Sequence, residues 1–246
     1  MNIKDYQQLA LRTEAPCGAV LNRVSDVKIL GYSELAYSNL RLLHAALGLT
    51  SDINELVHSS DRTNEIEEAG DSLWYAAIAC EALHADIASS FTDGLNEDRK
   101  WSRLELSERL RTRAAEVADA TKAKIFYGKS ESDATPIDVV LLGDVQDIVR
   151  GLALYCTKFL NLSIEEVMEA NIAKLRARFP DAYSQARALE RDKAAERSAI
   201  NAGPFGTGPF PVNVGEIPRT KAYKSGPDAP QASFPDPAGT HGDLAG

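Results

Sequence analysis

Apolar residues recur at intervals of three and four along this chain as far as about residue 195, and no stretch shows the alternation of a half-buried strand. The spacing predicts an all-α fold, with helices over about 3–12, 32–47, 52–60, 64–90, 102–125, 136–159 and 163–195. Ser163 with Glu166 three positions later has the pattern of a capping box, in which each residue satisfies an amide of the other at the start of a helix. Pro180, which lacks an amide donor and crowds the preceding turn, is expected to kink or break the last of these helices. Beyond it the periodicity fades into a Pro/Gly-rich stretch that buries little, so residues 196–246 are expected to form an extended tail. Phe205, Phe210 and Phe234 are its means of packing on its own protein or on a partner.

The helical part carries a faint internal echo. Asp52-Ile-Asn-Glu55 followed by Gly70-Asp71 is answered by Glu116-Val-Ala-Asp119 followed by Gly143-Asp144, each Gly-Asp opening an apolar run. The echo suggests a duplication into a first half, 1–98, and a degenerate second half, 99–195. In the second, Arg113 stands where a leading acid belongs and Leu141 stands where Glu68 stands before Asp71. Two of four carboxylates are therefore missing from it.

Composition narrows the function classes. Hydrophobic residues make up 44% of 246 residues, enough for a sizeable core. A net charge of −9 argues against a nucleic-acid backbone as partner, since such binders present a concentrated basic face. Cys17, Cys80 and Cys156 are odd in number and widely spaced, with no Cys/His cluster, which favours reduced thiols over disulfides or zinc. No N-terminal apolar segment and no membrane-length apolar run is present, so no membrane partner and a cytoplasmic location are expected. His44, His58, His84 and His241 build no ligand set, and neither a Walker loop nor a Gly-x-Gly-x-x-Gly occurs.

The chemistry concentrates in two carboxylate pairs, Asp52/Glu55 and Glu68/Asp71. Spacing of i, i+3 puts each pair on one helix face a turn apart, and two such helices side by side would bring all four together. Isolated acid pairs are usually solvated faces in a chain with 36 Asp and Glu. Here Leu73, Trp74, Ala77 and Ile78 follow Asp71 directly, so the second pair borders a core, where carboxylates require a cation. Oxygen donors select a hard ion such as Mg²⁺.

Four segments in this order resemble the MazG-like nucleoside triphosphate pyrophosphohydrolases of the all-α NTP pyrophosphatase superfamily, which also holds dimeric dUTPases and phosphoribosyl-ATP pyrophosphohydrolases. They are Ala46-Leu-Gly-Leu-Thr-Ser-Asp52-Ile-Asn-Glu55, Glu68-Ala-Gly-Asp71-Ser-Leu-Trp-Tyr75, Lys124-Ile-Phe-Tyr-Gly-Lys129 and Glu169-Ala-Asn171-Ile-Ala-Lys174-Leu-Arg-Ala-Arg178-Phe-Pro180. The likeness covers about residues 1–185 and implies a helical bundle that uses Mg²⁺, with Mn²⁺ as a substitute, to cleave (d)NTP to (d)NMP and pyrophosphate. It implies Asp52, Glu55, Glu68 and Asp71 as metal ligands, and Asn171 and Lys174 beside the polyphosphate. Asp52 departs from the usual Glu by one methylene. Splitting of the motif between the halves fits a tandem-fused member, of the kind phages carry to remodel nucleotide pools, acting as an intrachain pseudo-dimer or a homo-oligomer.

Within that frame, Glu55 or Glu68 is the expected proton acceptor for the attacking water. Arg178 continues the Asn171–Lys174 stripe, and Lys122 and Lys129 are further phosphate candidates, although a solvated basic face explains these cations as well. Trp74 offers a ring to a base, while its helical spacing equally fits the core. The alternatives are a catalytically inactive structural or binding subunit, and an enzyme of dUTPase-type specificity.

Overall fold

A computed structural model describes residues 1–14, 34–91, 100–129, 135–180 and 182–202, all within one unit of the chain, Met1–Pro211. Every regular element among them is helical, as the periodicity predicts. In chain order they are α1 (Ile3–Leu11), α2 (Glu34–His58), α3 (Arg62–Ala82), a 3-10 turn (Ile87–Phe91), α4 (Arg103–Tyr127) and α5 (Ile137–Tyr155). A π turn (Cys156–Leu160), α6 (Ile164–Arg178), α7 (Gln185–Leu189) and α8 (Lys193–Asn201) follow. No described helix is long and apolar enough to cross a membrane.

α3 is the axis, with α1, α2, α5, α6 and α8 all packed against it. Its composition explains the position: Leu73 and the whole run Ala76–Cys80 are fully buried, leaving no continuous polar face. Small residues on α3 let its neighbours come close. A Cβ on Gly70 would lie 2.8 Å from the Cβ of Asn171, so the α3–α6 approach requires glycine there. The Tyr6 hydroxyl joins α1 to this junction, bridging the Gly70 carbonyl (3.2 Å) and Asn171 Oδ1 (3.1 Å).

Several boundaries differ from the sequence expectation. The two helices expected over 32–47 and 52–60 are one, α2, because the buried stripe Leu42, Ala45, Leu49, Ile53, Leu56 continues through the intervening residues. Gly48 serves packing instead of ending the helix: a Cβ there would meet the Tyr75 ring at 2.2–2.3 Å. The helix expected to reach residue 90 stops at Ala82, where His84 turns left-handed (φ 54°) and the Ala85 amide reaches back to the Cys80 carbonyl at 2.8 Å. Gln7 of α1 then holds the exit, accepting from the Ile87 amide at 2.9 Å. The expected 163–195 helix ends at Arg178, two residues before Pro180, and α7 and α8 replace its remainder.

The Ser163–Glu166 capping box is present, and a second one, Ser102–Glu105, opens α4. α8 crosses the expected start of the tail at residue 196, burying Ile200. Phe205, Phe210, Phe234, Cys17 and His241 lie outside the described residues. Cys80 and Cys156 are buried thiols, each pushed up to about 12 by burial.

Buried Gly48 and exposed Gly143, both inside helices, should respond oppositely to alanine. Gly48→Ala must displace the Tyr75 ring and is expected to lose about 1–3 kcal/mol to overpacking. A Cβ on Gly143 meets nothing within 4 Å, so Gly143→Ala should gain up to about 1 kcal/mol of helix propensity. Denaturant melts of the two variants test both signs.

Candidate metal centre and cleft

α2 and α3, joined by the short link 59–61, pack together along their length, and this apposition brings the carboxylates together. Asp52 from α2 and Glu68 and Asp71 from α3 each place an oxygen within 4.8 Å of the others. Glu55, a turn beyond Asp52, is exposed and lines the same cleft without joining that set.

Three ionised carboxylates at this separation repel by about 3–4 kcal/mol per pair at an effective dielectric of about 20. Summed over three pairs, that rivals the total stability of a domain, about 5–15 kcal/mol. The cluster therefore needs protons or cations. Burial, with Asp71 and Glu55 adding to it, pushes the Asp52 carboxyl up to about 7. Burial, then Asp71, Glu55 and Asp52, push Glu68 up to about 8.

A buried cation stands beside the cluster. Lys174, only 1% exposed, donates to Asp71 Oδ2 at 2.5 Å and to Glu67 Oε1 at 3.2 Å. Burial alone would lower its pKa, but Asp71 and Glu67 outweigh burial and keep the ammonium charged. Asn171 Nδ2 donates to the other oxygen of Asp71 at 2.8 Å. One lysine shared by Asp71 and Glu67 leaves Asp52 and Glu68 unbalanced. Asp52, Glu68 and Asp71 form an all-oxygen set that could hold a hard divalent ion.

The carboxylates form one wall of a cleft of about 620 Å³. Elsewhere it is lined by Leu40, His44, Leu47, Trp74, Tyr75, Phe179 and Tyr183, with Arg41, Arg178 and Arg191 adding positive charge. His44, Trp74 and Tyr75 meet edge to face, with centroids 4.8–5.8 Å apart. Burial lowers the His44 pKa and keeps its imidazole neutral. Trp74 is anchored through Nε1 to the Ala10 carbonyl (2.8 Å) and Thr13 Oγ1 (3.0 Å), so it is a fixed wall of the cleft.

The remaining sequence candidates divide. Arg178 lines the cleft and bonds Glu196 through Nε (2.8 Å) and Nη2 (2.6 Å). Lys122 and Lys129 are exposed on α4 and just past it, and neither lines the cleft. The helical register places Lys122 beside Asp119, with which it pairs. Sequence reasoning missed Glu67, Arg191 and Glu196, along with the His44 side of the cleft. Glu67 adjoins Glu68 and could have been flagged. Arg191 and Glu196 gave no spacing signal, because turns separate them from the motif helices.

Of the echoed acids, Glu116 and Asp144 meet a guanidinium group and Asp119 pairs with Lys122. Arg113 contacts Glu116 (2.5 Å), Asp144 (2.9 Å) and Asp147 (3.0 Å), while Arg109 and Arg150 also hold Asp147 at 2.8 and 2.6 Å. A Cβ on Gly143, which precedes Asp144 as Gly70 precedes Asp71, would meet nothing within 4 Å.

The raised carboxyls make metal-free stability depend on pH. Ordinary values are 3.8 for Asp and 4.5 for Glu, so between those and about 7–8 the folded chain holds protons that the unfolded chain has lost. The stabilising contribution is fully present below the ordinary values and is lost as pH rises through the folded ones. In EDTA, Tm should fall between about pH 5 and about pH 9, and Mg²⁺ should restore it most at the upper end, releasing protons on binding. A metal-free Tm that stays flat over this range would contradict the repulsion.

The chain matches no family model, no curated protein and no solved structure.

Proposed function

We propose that this protein is a Mg²⁺-dependent nucleoside triphosphate pyrophosphohydrolase, converting (d)NTP to (d)NMP and pyrophosphate and acting on the nucleotide pool. The observation that carries the reading is the convergence of Asp52, Glu68 and Asp71 on one wall of a cleft whose other walls are aromatic and cationic. A nucleotide has the matching halves, an apolar ring system and a polyanion. The MazG-like resemblance supports the same reading, since the Asn171 and Lys174 it points to are the two side chains bonded to Asp71.

Asp52, Glu68 and Asp71 would hold the ion, with Glu55 beside them at the solvent side. Bound Mg²⁺ neutralises phosphate charge and lowers the pKa of a coordinated water. Glu55, exposed and outside the three-acid set, is the carboxylate suited to take the proton of the attacking water. Lys174 and Asn171 orient Asp71, and Lys174 supplies a buried positive charge close to where phosphate charge develops. Tyr75, His44, Phe179 and Tyr183 enclose the nucleoside and exclude water around it. The fixed Trp74 ring completes that wall. Attack of water on the α-phosphorus breaks the α–β anhydride bond and needs no protein nucleophile.

A panel of NTPs and dNTPs with Mg²⁺, its products separated by ion-exchange chromatography, tests this reading. At least one substrate should yield equimolar monophosphate and pyrophosphate, and Asp71→Asn should lower the rate by at least about 10²-fold. Release of single phosphates, or no turnover of any nucleotide, would favour the inactive-subunit reading instead. Strong preference for dUTP would identify the dUTPase-type variant.

A further inference from the structure

The cleft holds two guanidinium groups that converge on one buried carboxylate. Glu196 of α8 is 2% exposed and accepts from Arg178 at 2.8 and 2.6 Å and from Arg191 Nη2 at 2.6 Å, with Arg191 Nε at 3.4 Å. Both arginines line the cleft. Each turns its Nε–Nη2 edge to Glu196. A guanidinium carries five N–H donors, so about three per arginine remain for other acceptors.

Donor count and tethering both argue against a purely structural bridge. Glu196 takes one edge of each guanidinium, and the remaining N–H donors of two arginines that line the cleft are available to an anion there. α8 is also fastened without Glu196. Ile200 is buried, Arg197 pairs with Asp61 at 3.0 Å, and Thr63 donates to Asn201 at 3.0 Å. The cations are linked to the acid wall through Glu67, which accepts from Lys174 at 3.2 Å and lies 3.6 Å from Arg191. A pair of planar forks fixed by a shared carboxylate suits bidentate recognition of phosphate oxygens.

We propose that Arg178 and Arg191 form a clamp for the β- and γ-phosphates of the substrate, and that Glu196 is the positioning residue that holds both guanidiniums in place. The proposal rests on the pyrophosphohydrolase reading for the identity of the anion, and assigns to the end of α6 together with the segment after Pro180 the task of gripping the leaving pyrophosphate. Specificity for a triphosphate over a monophosphate would arise here, away from the metal ligands.

The test is calorimetric titration of the full chain with inorganic pyrophosphate in the presence of Mg²⁺, alongside titration with Mg²⁺ alone. Glu196→Gln and Arg191→Ala should each weaken pyrophosphate binding by about tenfold or more, the scale of one or two charge-assisted hydrogen bonds. Mg²⁺ affinity should stay within about twofold, and the double variant should be little worse than either single one. In turnover, both variants should raise KM for the nucleotide more than they lower kcat. Glu196→Asp should restore part of the pyrophosphate affinity, and Arg191→Lys should not, because lysine lacks the fork.

Arg191, with a side chain 36% exposed, carries the test alone should Glu196→Gln fail to fold. Pyrophosphate affinity unchanged in Arg191→Ala, or absent in the wild type, would overturn the clamp. Affinity lost in the variants while the wild type turns over no nucleotide would leave the clamp standing and remove the hydrolase reading. Turnover with unchanged pyrophosphate affinity would do the reverse.

Discussion

Repulsion among Asp52, Glu68 and Asp71, held within 4.8 Å at the border of an apolar core, is the constraint to which the neighbouring structure answers. The core that makes α3 the axis also deprives its acids of water. A chain of contacts brings in a cation to offset this. Gly70 admits Asn171, Asn171 fixes the register of α6 on α3, and Lys174 one turn later lands on Asp71. Each link depends on the one before it, so a glycine chosen for its missing side chain decides where a positive charge sits.

Two groups of acids, the first on α2 and α3 and the second on α4 and α5, meet the same electrostatic problem differently. In the second, Arg113 sits among Glu116, Asp144 and Asp147 and leaves little charge to be balanced from outside. In the first, a single buried lysine is shared with Glu67, and burial together with the neighbouring acids raises Asp52 to about 7 and Glu68 to about 8. An unbalanced cluster costs stability and is expected where binding supplies the missing charge. Elsewhere in the cleft Arg178 and Arg191 share Glu196, and Arg191 also lies 3.6 Å from Glu67. A metal-bound polyphosphate would meet the carboxylates and these guanidiniums at once.

Period and spacing made the helical class, the two acid pairs and the Ser163 cap legible, because each depends on neighbours three or four positions away. The break expected after residue 47 is absent, and the glycine at 48 serves a partner distant in sequence, since the Tyr75 ring requires the empty position. The end of α3 at Ala82 was illegible for a related reason: the turn through left-handed His84 is closed by the Cys80 carbonyl, which accepts from Ala85, and by Gln7, which accepts from Ile87, main-chain and tertiary partners. Charge made Lys122 a phosphate candidate, and its register on α4 pairs it with Asp119, outside the lining of the cleft. Glu196 fell at the border of an apparent tail, and only folding brings it under two arginines.

Anomalous diffraction from crystals soaked in Mn²⁺ would test the central claim most directly. The predicted result is one strong peak within about 2.0–2.6 Å of carboxylate oxygens of Asp52, Glu68 and Asp71, the range for hard cations on oxygen ligands, with none beside Arg113. A strong peak elsewhere, or none at these three side chains, would contradict it.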